Sequence, residues 1–138
     1  MTTKISYAIA FALGLGMVFL GARFFSAPEV ATAAFGIRFN ANGDYSFHHI
    51  KGIRDIFSGL LLCALVLMNE RRALGMMLLI ATIIPVSDMV VVLCKNYTGL
   101  QQAMPHIVAT VICFVVGILL LATRPQKKEA LKKEGEMN

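Results

Sequence analysis

Four stretches of this chain, Ile5 to Phe25, His49 to Met68, Ala73 to Cys94 and Pro105 to Ala122, are long apolar runs. A bilayer core of roughly 30 Å is crossed by about 20 such residues at a rise of 1.5 Å each. A polypeptide built this way has little choice of architecture, because in lipid every backbone amide has to be paired inside its own segment. The expected fold is therefore all-α, a four-helix transmembrane bundle with an external loop containing a short helix between helices one and two. Composition agrees: 57% of the 138 residues are hydrophobic and the mean hydropathy is +0.71, well above the range of ordinary soluble domains.

The first run is read as a retained helix. It is long for the apolar region of a signal peptide, and Phe25 and Ala27 do not make the pattern of small residues that marks cleavage. Residues 1–125 form the expected membrane domain, and residues 126–138 a charged, disordered cytoplasmic tail.

The net charge of +5 is distributed as in membrane proteins. Lys4, Arg71, Arg72 and the tail residues Arg124, Lys127, Lys128, Lys132 and Lys133 fall on one side of the four runs. Arg23, Arg38, Lys51, Arg54 and Lys95 fall on the other. The excess of positive charge puts both termini in the cytoplasm, in the plasma or inner membrane. The expected partners are accordingly membrane lipids and a small lipophilic ligand, with a homo-oligomer left open, and no nucleic acid.

No cofactor signature is present, neither a Gly-rich phosphate loop nor a C-x-x-C, H-E-x-x-H or G-x-S-x-G element. Cys63, Cys94 and Cys113 are odd in number and lie in or at the ends of the runs, which favours small buried residues over disulfides. No element carries metal-ligand spacing, so no metal is assigned.

Between the first two runs, Ser26-Ala27-Pro28-Glu29 reads as a capping box that starts a short helix over Pro28 to Phe35, closed by Gly36. Ile37-Arg38-Phe39 and Tyr45-Ser46-Phe47 alternate about Asn42-Gly43, the pattern of a small hairpin flap. The brief turn Asn69-Glu70-Arg71-Arg72 predicts that helices two and three pack as an antiparallel hairpin.

Chemistry is sought where polar residues enter the runs, since an ionisable group in hydrocarbon is costly and turns to the bundle interior, a partner or water. Asp88 follows Pro85, whose missing N–H leaves the Ala81 carbonyl without its helical partner. Gly52, Asp55 and Gly59 share one helical face, beside Ser58. His106, Thr110, Cys113 and Gly117 share another, and Ala10, Gly14, Met17 and Gly21 a third. Asp55 and Asp88 are the candidate acid and base, with Arg54 as the orienting group. Lys51, His106 and Thr110 are candidate substrate-binding residues. Lys51, Arg54, Asp55, Asp88 and His106 belong to the external half, with Arg23, His48, His49 and Lys95, which suggests one outward polar chamber lidded by the loop from Ser26 to His48. The competing reading makes each of these groups a packing or interfacial residue.

Several elements taken together resemble the DUF4267 family of small membrane proteins: Gly21-Ala22-Arg23 leading to Pro28, Ala33-Ala34-Phe35-Gly36, Lys51-Gly52-Ile53-Arg54-Asp55 with Gly59-Leu60, Arg72-Ala73-Leu74-Gly75, and Pro85 with Asp88. The resemblance covers roughly residues 5 to 122 and implies four spans and no assigned activity. A looser likeness to DoxX-like membrane proteins rests on architecture alone. Three functions compete on this footing: a site that binds or acts on a small lipophilic molecule, for instance by acid–base isomerisation, an accessory subunit, and a small proton-coupled transporter.

Overall fold

A computed structural model describes residues 2–38 and 42–123, and the tail and Phe39 lie outside them. The described residues are all-α, without strands, in six helical segments: α1 Thr2–Ser26, α2 Pro28–Phe35, α3 Ser46–Leu67, α4 Arg71–Ala81, α5 Ile83–Leu93 and α6 Leu100–Ala122. α4 and α5 meet at Thr82, three residues before Pro85, and run on as one apolar span from Arg71 to Leu93. Thr82 keeps helical dihedrals there, and its hydroxyl donates to the Leu78 carbonyl at 2.9 Å. The break falls where proline removes a donor from the helical ladder.

Among the described residues, three helices are long and apolar enough to cross a membrane: α1, α4 with α5, and α6. α3 has the length, 22 residues, but its first half carries Lys51, Arg54 and Asp55.

Small residues decide which helices pack closely. The α1 and α3 backbones touch along a seam of Gly14 and Gly21 against Gly59 and Gly52. A Cβ at Gly21 would lie 2.5 Å from the Gly52 carbonyl oxygen, and one at Gly52 would lie 2.9 Å from that of Gly21. α4 and α6 repeat the device with Gly75 and Gly117. α3 therefore packs chiefly on α1, and α4–α5 on α6. α3 and α4, joined by the short turn, also contact each other, but each packs more extensively on its glycine-seam partner. That turn closes α3 with Asn69 in the left-handed region, φ 57°, as Glu70 N–H donates to Leu65 O and Asn69 N–H to Val66 O.

The two helix pairs meet at an apolar core of Ala10, Leu62, Leu74, Leu78, Val116 and Leu120. One end of the bundle is fastened by Arg71, whose Nη1 donates to Thr123 Oγ1 at 2.8 Å, and the charges of Arg71 and Glu70 lie near enough to act on Tyr7. The start of α1, the α3–α4 turn and the end of α6 thus share one end of the molecule, and α2 lies at the other.

α2 forms over the expected residues and ends at Gly36 in the left-handed region, φ 95°. Its capping box does not form: Ser26 still belongs to α1, and its hydroxyl donates back to the Ala22 carbonyl at 3.2 Å, which leaves Ala27 as the cap. The expected flap is also absent among the described residues. Tyr45 precedes α3, and Ser46 and Phe47 already make its first turn, with Ser46 N–H donating to Asp44 Oδ1 at 2.9 Å. An Asx turn at a helix start has won over strand alternation. The Asn42-Gly43 turn survives, both residues having positive φ. α6 starts at Leu100, five residues before Pro105, where Gly99 N–H donates to Gln102 Oε1 at 2.9 Å.

Candidate functional site

The outer end of α3 presents Lys51 and Asp55 one helical turn apart, and they form an ion pair of 3.0 Å from Nζ to Oδ2, with side chains 22% and 17% exposed. The ammonium also lies over two rings, 4.8 Å from the centroid of Phe35 and 5.2 Å from that of Phe24. Cation–π attraction of this kind offsets part of what it costs to hold a lysine among apolar groups. Phe24 belongs to the last turn of α1 and Phe35 to the end of α2, so one side chain draws three elements together.

Across from it, on α5 and α6, Asp88 and His106 form the second couple, 4.0 Å from Oδ2 to Nδ1. His106 is buried, and its other ring nitrogen, Nε2, lies 2.9 Å from the Phe35 carbonyl oxygen. A carbonyl only accepts, so Nε2 carries a hydrogen and donates it. The Phe35 ring meets the imidazole edge-on at 4.6 Å. Thr110 is turned away from this contact, since its hydroxyl donates to the His106 carbonyl at 2.8 Å.

Asp88 is half-buried, its side chain 29% exposed, and among the described residues no donor lies within hydrogen-bond distance of its carboxylate. The fields of Lys51, His106, Asp55 and Arg54 all reach it. α3 packs chiefly on α1 and α5 on α6, so the two couples belong to different helix pairs.

Of the residues singled out by sequence, Lys51, Asp55, Asp88 and His106 come together. Arg54 is exposed and makes no ion pair with Asp88. Asp55 pairs with Lys51 and Asp88 faces His106, while the field of Asp55 also reaches Asp88. A concavity of about 350 Å³ lies instead beside the start of α2, lined by Ala27, Pro28, Glu29, Val30 and Tyr45.

Sequence reasoning missed the contacts that fasten α2 and the chain after it. Tyr45 donates its hydroxyl to Glu29 Oε1 at 2.8 Å. Arg38 donates its backbone N–H to the Tyr97 hydroxyl at 3.1 Å and stacks its guanidinium 5.1 Å from that ring's centroid. A backbone carbonyl carries no sequence signal, but Gly36 does: a Cβ there would lie 3.1 Å from Gln102, so glycine marks the close approach of this segment to α6. Among the described residues no cluster of His, Cys, Asp or Glu has the arrangement to hold a metal ion.

No curated protein and no solved structure matches the chain. Residues 14–120, which include both glycine seams and all of the ion-pairing cluster, match the family described as Domain of unknown function (DUF4267), and the chain belongs to that family.

Proposed function

We propose that the protein is a multi-pass membrane protein in which α3 makes a fourth span. Both termini are cytoplasmic, in the plasma or inner membrane, and the cluster at the opposite end binds a small lipophilic molecule from the outer leaflet. The length of α3 and its glycine contact with α1 support the fourth span, with Lys51 and Arg54 reaching toward the interface. The excess of basic residues at the other end supports the orientation.

The observation that carries the binding site is the Asp88 carboxylate, half-buried in an apolar span with no hydrogen-bond donor. Such a group is costly in hydrocarbon unless a donor reaches it. A small amphiphile with a hydroxyl or amine head supplies that donor, with its apolar part along the exposed apolar residues of α5. Acid–base chemistry on the bound molecule falls to Asp88 and His106, the one carboxylate–imidazole couple in the cluster.

The test is native mass spectrometry of protein extracted gently from its own membrane, wild type beside Asp88→Asn and Asp55→Asn. A defined small molecule retained by wild type and lost from Asp88→Asn supports the site. Phospholipid alone in all three, with the variants less stable, favours the second reading: an accessory subunit in which the couples are packing elements. That reading draws on the concavity's position at α2, away from Asp88. Proton-coupled efflux requires loss of drug resistance on Asp88→Asn at equal expression.

A further inference from the structure

One imidazole lies between two acceptors at this end of the molecule, bonded to one and facing the other. His106 Nε2 meets the carbonyl of Phe35, the last residue of α2, at 2.9 Å, and Nδ1 faces the Asp88 carboxylate at 4.0 Å. A neutral imidazole has one N–H and an imidazolium has two. With a proton held between Asp88 and His106, both contacts are favourable at once. Without it, the single N–H serves either α2 or Asp88, and the other nitrogen turns a lone pair on an oxygen.

We propose that α2 is a proton-dependent lid, latched by His106 while the Asp88–His106 couple holds a proton and loosened when that proton leaves. As a regulator of ligand access the lid rests on the binding reading above, whereas the latch itself does not. Loosening α2 also withdraws the Phe35 ring from Lys51, so the latch and the ammonium's aromatic cover are coupled through one residue.

The groups around His106 allow the assignment. α5 contributes Asp88, and α3 contributes Lys51, Asp55 and Arg54, whose fields reach Asp88. The ionisable residue of α2, Glu29, is engaged by Tyr45. α1 carries Lys4 and Tyr7 at the far end of the bundle and Arg23 in its last turn, and Arg71 of α4 is held at that same far end by Thr123.

The test is amide hydrogen exchange over Val30 to Ile37 in lipid nanodiscs across neutral pH, with no ligand added and rates normalised to those of an unstructured peptide. Wild-type protection should fall roughly tenfold as the couple loses its proton, the scale of one charge-assisted hydrogen bond. Asp88→Asn should hold α2 protected throughout, because its amide donates to Nδ1 and leaves Nε2–H for Phe35. His106→Gln should abolish the pH response. Unchanged protection along the α1–α3 glycine seam certifies that the variants are folded. Protection in wild type that stays flat with pH, or falls equally in Asp88→Asn, overturns the latch. Since no ligand is present, either result is independent of whether the mass-spectrometric search finds one.

Discussion

Lys51 satisfies its charge twice, through Asp55 at 3.0 Å and through the faces of Phe24 and Phe35. Removing it leaves Asp55 in a partly apolar setting with no cation one turn away, and breaking a desolvated pair on one side costs more than replacing both partners. Lys51→Met should lower the free energy of unfolding by roughly 1–3 kcal/mol, less than a fully buried pair loses because both side chains keep some exposure. Lys51→Met combined with Asp55→Leu should recover much of that loss, as a chemical-denaturation double-mutant cycle would register. Asp44 offers a pH-dependent counterpart outside the spans. The Ser46 hydroxyl first, and its backbone N–H second, hold the Asp44 carboxyl below the usual carboxylate range. A lowered folded value means that the contribution is present above the unfolded value and is lost as pH falls through the folded one. Amide protection at Ser46 and Phe47 should therefore fray on acidification, and Asp44→Asn, which keeps the turn without a titrating group, should remove the dependence. These residue types were legible in the sequence as charged intruders in apolar runs. Their pairing was not, because an i,i+4 contact on α3 and a contact from α5 to α6 compete with the carboxylate dyad that helical periodicity alone suggests.

Glycine position, more than chain connection, decides the neighbours of each helix. A short turn between α3 and α4 predicts that they pack together, yet the close approach belongs to α1 and α3, because only glycines let two backbones come within reach of each other's carbonyls. The stripes Gly14 with Gly21 and Gly52 with Gly59 are visible in the sequence. Which stripe faces which is a three-dimensional choice that periodicity leaves open. Two substitutions on one helix separate the seam from the rest. Gly21→Ala drives a methyl against the Gly52 carbonyl and the Ile56 backbone and should cost about 1–3 kcal/mol, the range for overpacking a tight interface. Gly16→Ala meets open space and should be neutral or slightly stabilising, since alanine is the better helix former. Thermal unfolding of the two variants in the same detergent checks the contrast. α2 was legible for a different reason: Pro28 and Gly36 bracket it locally. Its capping box was not formed because α1 runs on through Ser26 and claims that hydroxyl.

At the scale of the whole molecule, the two helix pairs are joined in different ways at the two ends. Toward the end that holds the α3–α4 turn they share the apolar core around Leu74, Leu78 and Leu120, all fully buried. At the other end α2 bridges α3 and α6 through Phe35, whose ring covers Lys51 and whose carbonyl meets His106, with Arg38 fastened to Tyr97 beyond it. A bundle closed by packing at one end and by polar contacts at the other can loosen its polar end without losing its fold, which is the property a lid over Asp88 requires. The argument assigns distinct roles to the two ends and so predicts distinct responses. Leu78→Ala should lower thermal stability by roughly 1–2 kcal/mol, below the soluble-protein range for such a truncation, because lipid already solvates leucine and only the lost packing counts. Ile80→Ala, two residues away on a surface 61% exposed, should leave stability unchanged in the same membrane. Tyr97→Phe should spare the midpoint of unfolding and raise exchange at Arg38, because it removes one hydroxyl acceptor from the bridge and nothing from the core. A loss of global stability in Tyr97→Phe as large as that in Leu78→Ala would mean that the bridge and the core form one cooperative unit, and the lid would then have no independent motion to regulate.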